Sequence, residues 1–123
     1  MIRMSVDRPS VPNQLQEQLG RLQQLQQTLQ AVITQRRQLE LELNEGENAL
    51  EELDKMTDEA IIYKSVGSLL VKVEKKKIVE ELKENKELLN ARITVLGRQQ
   101  KRAEERIKEL QSNIQSSLGT ISK

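Results

Sequence analysis

The chain has no Cys, His, Trp or Phe, and Tyr63 is its one aromatic residue among 123. Each absence excludes something. Without Cys there is no disulfide, which suits a reducing compartment such as the cytoplasm. Without Cys and His there is no Cys–His pair, no Ser–His–Asp triad and no ordinary zinc site. Without aromatics a compact core loses its largest contributors of buried area, and nucleic-acid bases have nothing to stack on. Charge of one sign is missing too. Twenty Lys and Arg face nineteen Asp and Glu, for a net +1, so no general attraction to nucleic acid or an anionic membrane surface arises. No run approaches 18 uncharged apolar residues, so no membrane span is expected. Met1-Ile2-Arg3-Met4-Ser5 has no apolar h-region and reads as no signal peptide. No Gly-rich phosphate loop is present, and neither cofactor nor metal is expected.

What remains is 36% apolar and 32% charged. That is too little apolar material for an ordinary globule. It is too ordered for a disordered chain, because Leu, Ile and Val recur at fixed intervals. Pro9 and Pro12 bias their predecessors away from helix, so residues 1–12 are expected to be a flexible extension. Asn13 is a suitable N-cap. From there a step alternating three and four residues reads Leu22, Leu25, Leu29, Val32, Arg36, Leu39, Leu43, Gly46, Leu50 and Leu53. Eight of these ten are apolar, a heptad stripe that predicts a helix over about 13–57. Leu15 and Leu19 extend it toward the N-terminus.

The middle of the chain changes character. Ile61-Ile62-Tyr63-Lys64-Ser65-Val66 and Leu69-Leu70-Val71-Lys72-Val73 are β-prone runs around Gly67-Ser68, which predicts a β-hairpin within about 60–74. The stepping resumes at Val79 and reads Leu82, Lys86, Leu89, Ile93, Leu96, Gln100, Ala103, Ile107, Leu110, Ile114, Ser117 and Ile121. The second helix is predicted over about 76–119. The expected fold of residues 13–123 is therefore mainly α: a long antiparallel two-helix coiled coil with one β-hairpin at the bend.

Two stripes and a hairpin give no large core. A lone hairpin is marginal in water, and its unpaired edges and two apolar faces invite further copies. Closing several hairpins into a barrel abolishes those edges. Oligomerisation is expected through Ile61, Ile62, Tyr63, Val66, Leu69, Leu70, Val71 and Val73. At the other end of the coiled coil, Leu15 to Leu22 is expected near Ile107 to Ile121. Seam residues there become exposed when the ends fray, as an apolar grip in a polar surround. Arg36, Lys86 and Gln100 interrupt the seams, where polar residues fix register or snorkel outward. Gly46 costs its helix about 1 kcal/mol relative to Ala unless a bend or close approach requires it. Lys75-Lys76-Lys77 opens a helix against the macrodipole, with Glu80 and Glu81 in reach.

The run Ile62-Tyr63-Lys64-Ser65-Val66-Gly67-Ser68-Leu69-Leu70-Val71 between two equal heptad arms resembles the prefoldin family, more narrowly its archaeal β-type subunits. The Gln-rich opening from Asn13 to Gln27 and the run Leu50-Glu51-Glu52-Leu53 are similar to that type as well. The likeness covers roughly residues 13–118, and the family offers no role for Met1 to Val11. The single hairpin points to a β-type subunit, since α-type subunits have two. The resemblance implies a hexamer of two α-type and four β-type subunits on a double β-barrel, with six coiled coils hanging from it. It implies a non-enzymatic holdase that captures non-native polypeptide without ATP and hands it to a group II chaperonin. By matching position it assigns cargo contact to Leu15, Leu19, Leu22, Ile107, Leu110, Ile114 and Leu118. The competing expectation is a structural coiled-coil scaffold or adaptor. A scaffold would use the same heptads but needs no barrel-forming hairpin.

Overall fold

The computed structural model describes the backbone of residues 13–122 and the side chains of residues 13–120. The extension at residues 1–12 and the side chain of Ile121 lie outside the described residues. The order of elements is helix, strand, strand, helix: α1 (Asn13–Asp54), β1 (Ile62–Val66), β2 (Leu69–Val73) and α2 (Lys75–Ser122). Two long helices thus flank one two-stranded antiparallel sheet.

The heptad step chooses which residues are covered. Along α1 the buried or half-buried positions run Leu15, Gln18, Leu22, Leu25, Leu29, Val32, Arg36, Leu39, Leu43, Gly46, Leu50 and Leu53, with Ile33 and Ala49 half-buried beside this stripe. Along α2 they include Leu82, Lys86, Leu89, Ile93, Leu96, Gln100, Ala103, Ile107, Leu110, Ile114 and Ser117. One position differs from expectation. Leu19 leaves the stripe and is 48% exposed. The reason is phase: the step from Leu22 to Leu25 is three, so the preceding step is four and lands on Gln18. Gly46 occupies a seam position, yet a Cβ there would meet nothing within 4 Å. No close helix approach requires that glycine.

Contacts divide the molecule into two compact units. One is Gln35–Leu96, holding the hairpin, and the other joins the residues up to Thr34 with those from Gly97 onward. In the first, Leu39, Leu53, Ile78, Leu89 and Leu96 are buried. In the second, Leu15, Ala103, Ile107, Leu110 and Ile114 are buried.

The end of α1 shows how the chain enters the hairpin. The Lys55 and Met56 amides donate to the carbonyls of Glu52 and Leu53 at 3.2 and 3.1 Å, tightening the last turn to three-residue spacing. The helix stops at Asp54, three residues before the position the sequence suggested. A cation from α2 completes this end. Lys75 Nζ donates to the Met56 carbonyl oxygen at 2.7 Å and lies 3.6 Å from Asp58 Oδ1. The first of the three lysines therefore serves the negative end of the other helix. Glu81 turns the other way and pairs with Lys64 on β1.

Candidate functional site

The hairpin is built on a two-residue loop. Gly67 has φ +61°, the left-handed region that tight hairpin loops require at their first central residue. A Cβ at Gly67 would meet nothing within 4 Å, so conformation rather than space calls for glycine. The register pairs Ile62 with Val73, Tyr63 with Lys72, Lys64 with Val71, Ser65 with Leu70 and Val66 with Leu69.

Residues alternate between the two faces of a strand. This register puts Ile62, Lys64, Val66, Leu69, Val71 and Val73 on one face, and Tyr63, Ser65, Leu70 and Lys72 on the other. Tyr63 thus shares a face with Leu70. The first face is apolar at five of six positions, and the second at two of four. The first is partly covered at Ile62, Lys64 and Val73. Ile61, Tyr63, Val66, Leu69, Leu70 and Val71 are exposed, Leu70 at 71%. All eight hairpin residues named from the sequence lie in or directly beside this sheet, and six of them are exposed.

Lys64 ties the sheet to Glu81 of α2, and Lys75 ties α2 to the segment after α1. Further along the unit, Lys86 Nζ reaches Glu47 Oε2 at 3.4 Å. This pair joins the helices, so Lys86 interrupts the seam yet fixes register from its edge. Arg36 Nε lies 3.5 Å from Glu40 Oε1 on its own helix.

The chain-end unit has the opposite character. Leu15, Leu110 and Ile114 form a buried cluster, with Leu22 and Leu25 partly buried against it. Ile107 is buried as well. Of the seven residues assigned to cargo contact, the structure thus brings four together in one cluster. Leu19 and Leu118 stand apart from it, each 48% exposed. Leu25 was not among the seven, although its place in the stripe put it beside them. No charged residue occurs from Leu22 to Gln35 or from Leu110 to Ser122, whereas Glu17, Arg21, Lys108 and Glu109 stand close in sequence to the cluster's Leu15, Leu22 and Leu110.

The arrangement holds little acid–base chemistry. Among the described residues no three Asp or Glu side chains converge to hold a metal. A mostly apolar groove of about 240 Å³, lined by Gln35, Ala91, Arg92, Val95 and Leu96, carries Arg92 as its one ionisable group. Among the described residues no helix is long and apolar enough to cross a membrane.

Comparison with known proteins bears on the whole of this description. The family model described as "Prefoldin subunit" matches residues 16–121. The prefoldin subunit beta of Pyrococcus furiosus is 48% identical over 109 residues, which cover 89% of this chain and 93% of that one. That of Thermococcus gammatolerans is 50% identical with the same coverage. The crystal structure of the prefoldin beta subunit from Thermococcus strain KS-1 superposes with a TM-score of 0.79 at 45% identity, over 90% of this chain and 97% of that one. The beta2 subunit of the same strain gives a TM-score of 0.67 at 27% identity, over 74% of this chain and 97% of that one. The match runs through both helices and the hairpin between them, and the chain belongs to the prefoldin family, within which it resembles the archaeal beta subunits.

Proposed function

We propose that this chain is the β-type subunit of an ATP-independent holdase. Its hairpin joins those of other subunits in a closed β-barrel platform. Its chain-end segments grip non-native polypeptide, which then passes to a group II chaperonin in the cytoplasm. The assembly is a hexamer with two α-type prefoldin subunits and four chains of this kind. Family membership supplies the coarse statement, a non-enzymatic chaperone family. The finer reading rests above all on the exposed hairpin. Six large apolar side chains lie open on a two-stranded sheet whose outer edges lack strand partners among the described residues. Such a sheet is an aggregation hazard unless its edges are paired. Closure with other hairpins removes the hazard and forms a platform at once.

The grip is argued from the chain-end unit. Its cluster is built from Leu and Ile side chains alone, so the contact offered to cargo is apolar. Several arms, each binding weakly, give avidity without a tight site, and a partner can then strip the cargo. A structural scaffold would use the helices alone and leaves the open hairpin without a purpose.

Light scattering tests the assembly. Mixed with a two-hairpin α-type prefoldin subunit, the chain is expected to run as a complex of about six subunits that suppresses aggregation of a denatured protein without nucleotide. An elongated monomer or dimer indifferent to that subunit would refute the platform. Transfer to a group II chaperonin is read by the loss of labelled cargo from the complex when chaperonin is added.

A further inference from the structure

We propose that Gln18 sets how readily the chain-end seam opens, and through that opening how well the chain captures non-native polypeptide. The capture half of this inference rests on the holdase reading above. The heptad step places Gln18 between Leu15 and Leu22 in the covered stripe of α1. Its Oε1 is buried and has no hydrogen-bond partner among the described residues.

An unmade hydrogen bond of this kind is a penalty on the closed seam alone. Once the helices part, water reaches the amide and the penalty vanishes. Its usual size multiplies an opening equilibrium by about five- to hundredfold. Two other seam interruptions, Lys86 and Gln100, have partners. Lys86 reaches Glu47 at 3.4 Å, and Gln100 Nε2 reaches Glu104 Oε2 at 3.4 Å.

Opening matters because of what the closed seam hides. Leu15, Leu110 and Ile114 are buried in their own cluster, with Leu22 and Leu25 packed on it. In the closed form they are engaged with one another and offer little to a cargo chain. When the seam parts, they form an apolar surface, and the occupant it suits is a polypeptide with its own apolar side chains uncovered. Apparent affinity scales with the fraction of molecules that are open. A residue that raises this fraction raises capture without touching cargo. Among the described residues no ion pair joins α1 and α2 in this unit, so parting breaks no charge contact there.

Two variants of the full chain test this. In Gln18→Leu, amide hydrogen exchange across Leu15 to Leu25 and Ile107 to Ile114 is expected to slow about tenfold. Capture of reduced lysozyme diluted from denaturant should fall several-fold, with the mass of the assembly unchanged. Exchange that is no slower would overturn the proposal. Slower exchange with undiminished capture would overturn the link from opening to capture. The second variant carries Leu15→Cys with Ile114→Cys, its only cysteines. Oxidised, it should lose capture several-fold, and reductant should restore it. Full capture by the oxidised form would also overturn the link. A wild-type chain that captures nothing would count against the holdase reading itself, while the exchange comparison would still decide the role of Gln18 in opening.

Discussion

Around the hairpin, apolar side chains lie in the open while cations tie the elements together. At the chain ends the reverse holds: apolar side chains are buried and, among the described residues, no ion pair joins the helices. Both units face the same shortage, since one stripe per helix cannot supply an ordinary core. The hairpin unit meets it with fixed geometry. Lys64 meets Glu81, Lys75 meets the end of α1, and Lys86 meets Glu47. For the assembly proposed above, a sheet held in one orientation is the better match to other hairpins. The chain-end unit keeps a small cluster with a polar interruption at Gln18, which suits a surface that alternates between covered and uncovered. On the proposed reading, ion pairs beside exposed apolar area serve assembly, and a polar interruption beside buried apolar area serves transient contact.

The largest expected effect breaks the first half of this contrast. Tyr63→Asp with Leu70→Asp places two carboxylates on one face of the hairpin, and Leu69→Asp with Val71→Asp places two on the other. Each pair should abolish assembly, weakening it at least about 100-fold, because a buried unpaired charge costs several kcal/mol. Sedimentation of each variant with an α-type subunit reads the result. Full-mass complex from one pair alone would show that only the other face is covered in the assembly.

Next comes the buried cluster. Leu110→Ala removes a side chain that is 7% exposed. The loss of transfer energy plus the cavity left behind amounts to about 2–3 kcal/mol. The melting of the chain-end unit should move to lower temperature while assembly through the hairpin persists. Loss of both together would mean the two units do not act separately.

These tests turn on residues whose roles were legible in the sequence to different degrees. The two helices and the hairpin follow from local signals: a heptad step, β-branched runs and a glycine at the turn. The hairpin surface follows from them, because apolar residues on both faces of a lone sheet have nowhere to hide. The chain-end site was harder to read. A heptad stripe marks which residues face the partner helix, but does not tell whether that contact is closed at the ends. Four of the seven cargo candidates are accordingly packed on one another, and Leu19 was counted into a stripe whose phase falls on Gln18. The role of Lys75 was also hidden, since its partners Met56 and Asp58 are brought beside it only by the fold. Face grouping in the hairpin needed the register, which alternation within each strand does not supply.

A gain in stability is expected at Gly46. It lies within α1 at a seam position with no atom within 4 Å of an added Cβ. Gly46→Ala should stabilise the chain by up to about 1 kcal/mol, through helix propensity and a less free unfolded chain. Thermal unfolding checks this. A lower melting temperature would mean that α1 needs a local departure from regular geometry there.

The smallest effect is expected at Lys86 and Glu47, and it tests the claim that the hairpin unit is held by cations. Their side chains are 40% and 47% exposed, so water screens the pair and its coupling should be below about 0.5 kcal/mol. A double-mutant cycle with Lys86→Met and Glu47→Gln measures it, and about 1 M salt should erase it. A pair this weak sets register by favouring one alignment of the helices over a shifted one, rather than by adding much to stability. Lys64 and Glu81 offer the sharper comparison, because they join strand to helix and are similarly exposed, at 40% and 56%. If they orient the hairpin, Lys64→Met should slow assembly with an α-type subunit far more than it lowers the melting temperature. Equal proportional losses in rate and stability would mean that the ion pair only adds to cohesion and that backbone and apolar packing alone set the angle of the sheet.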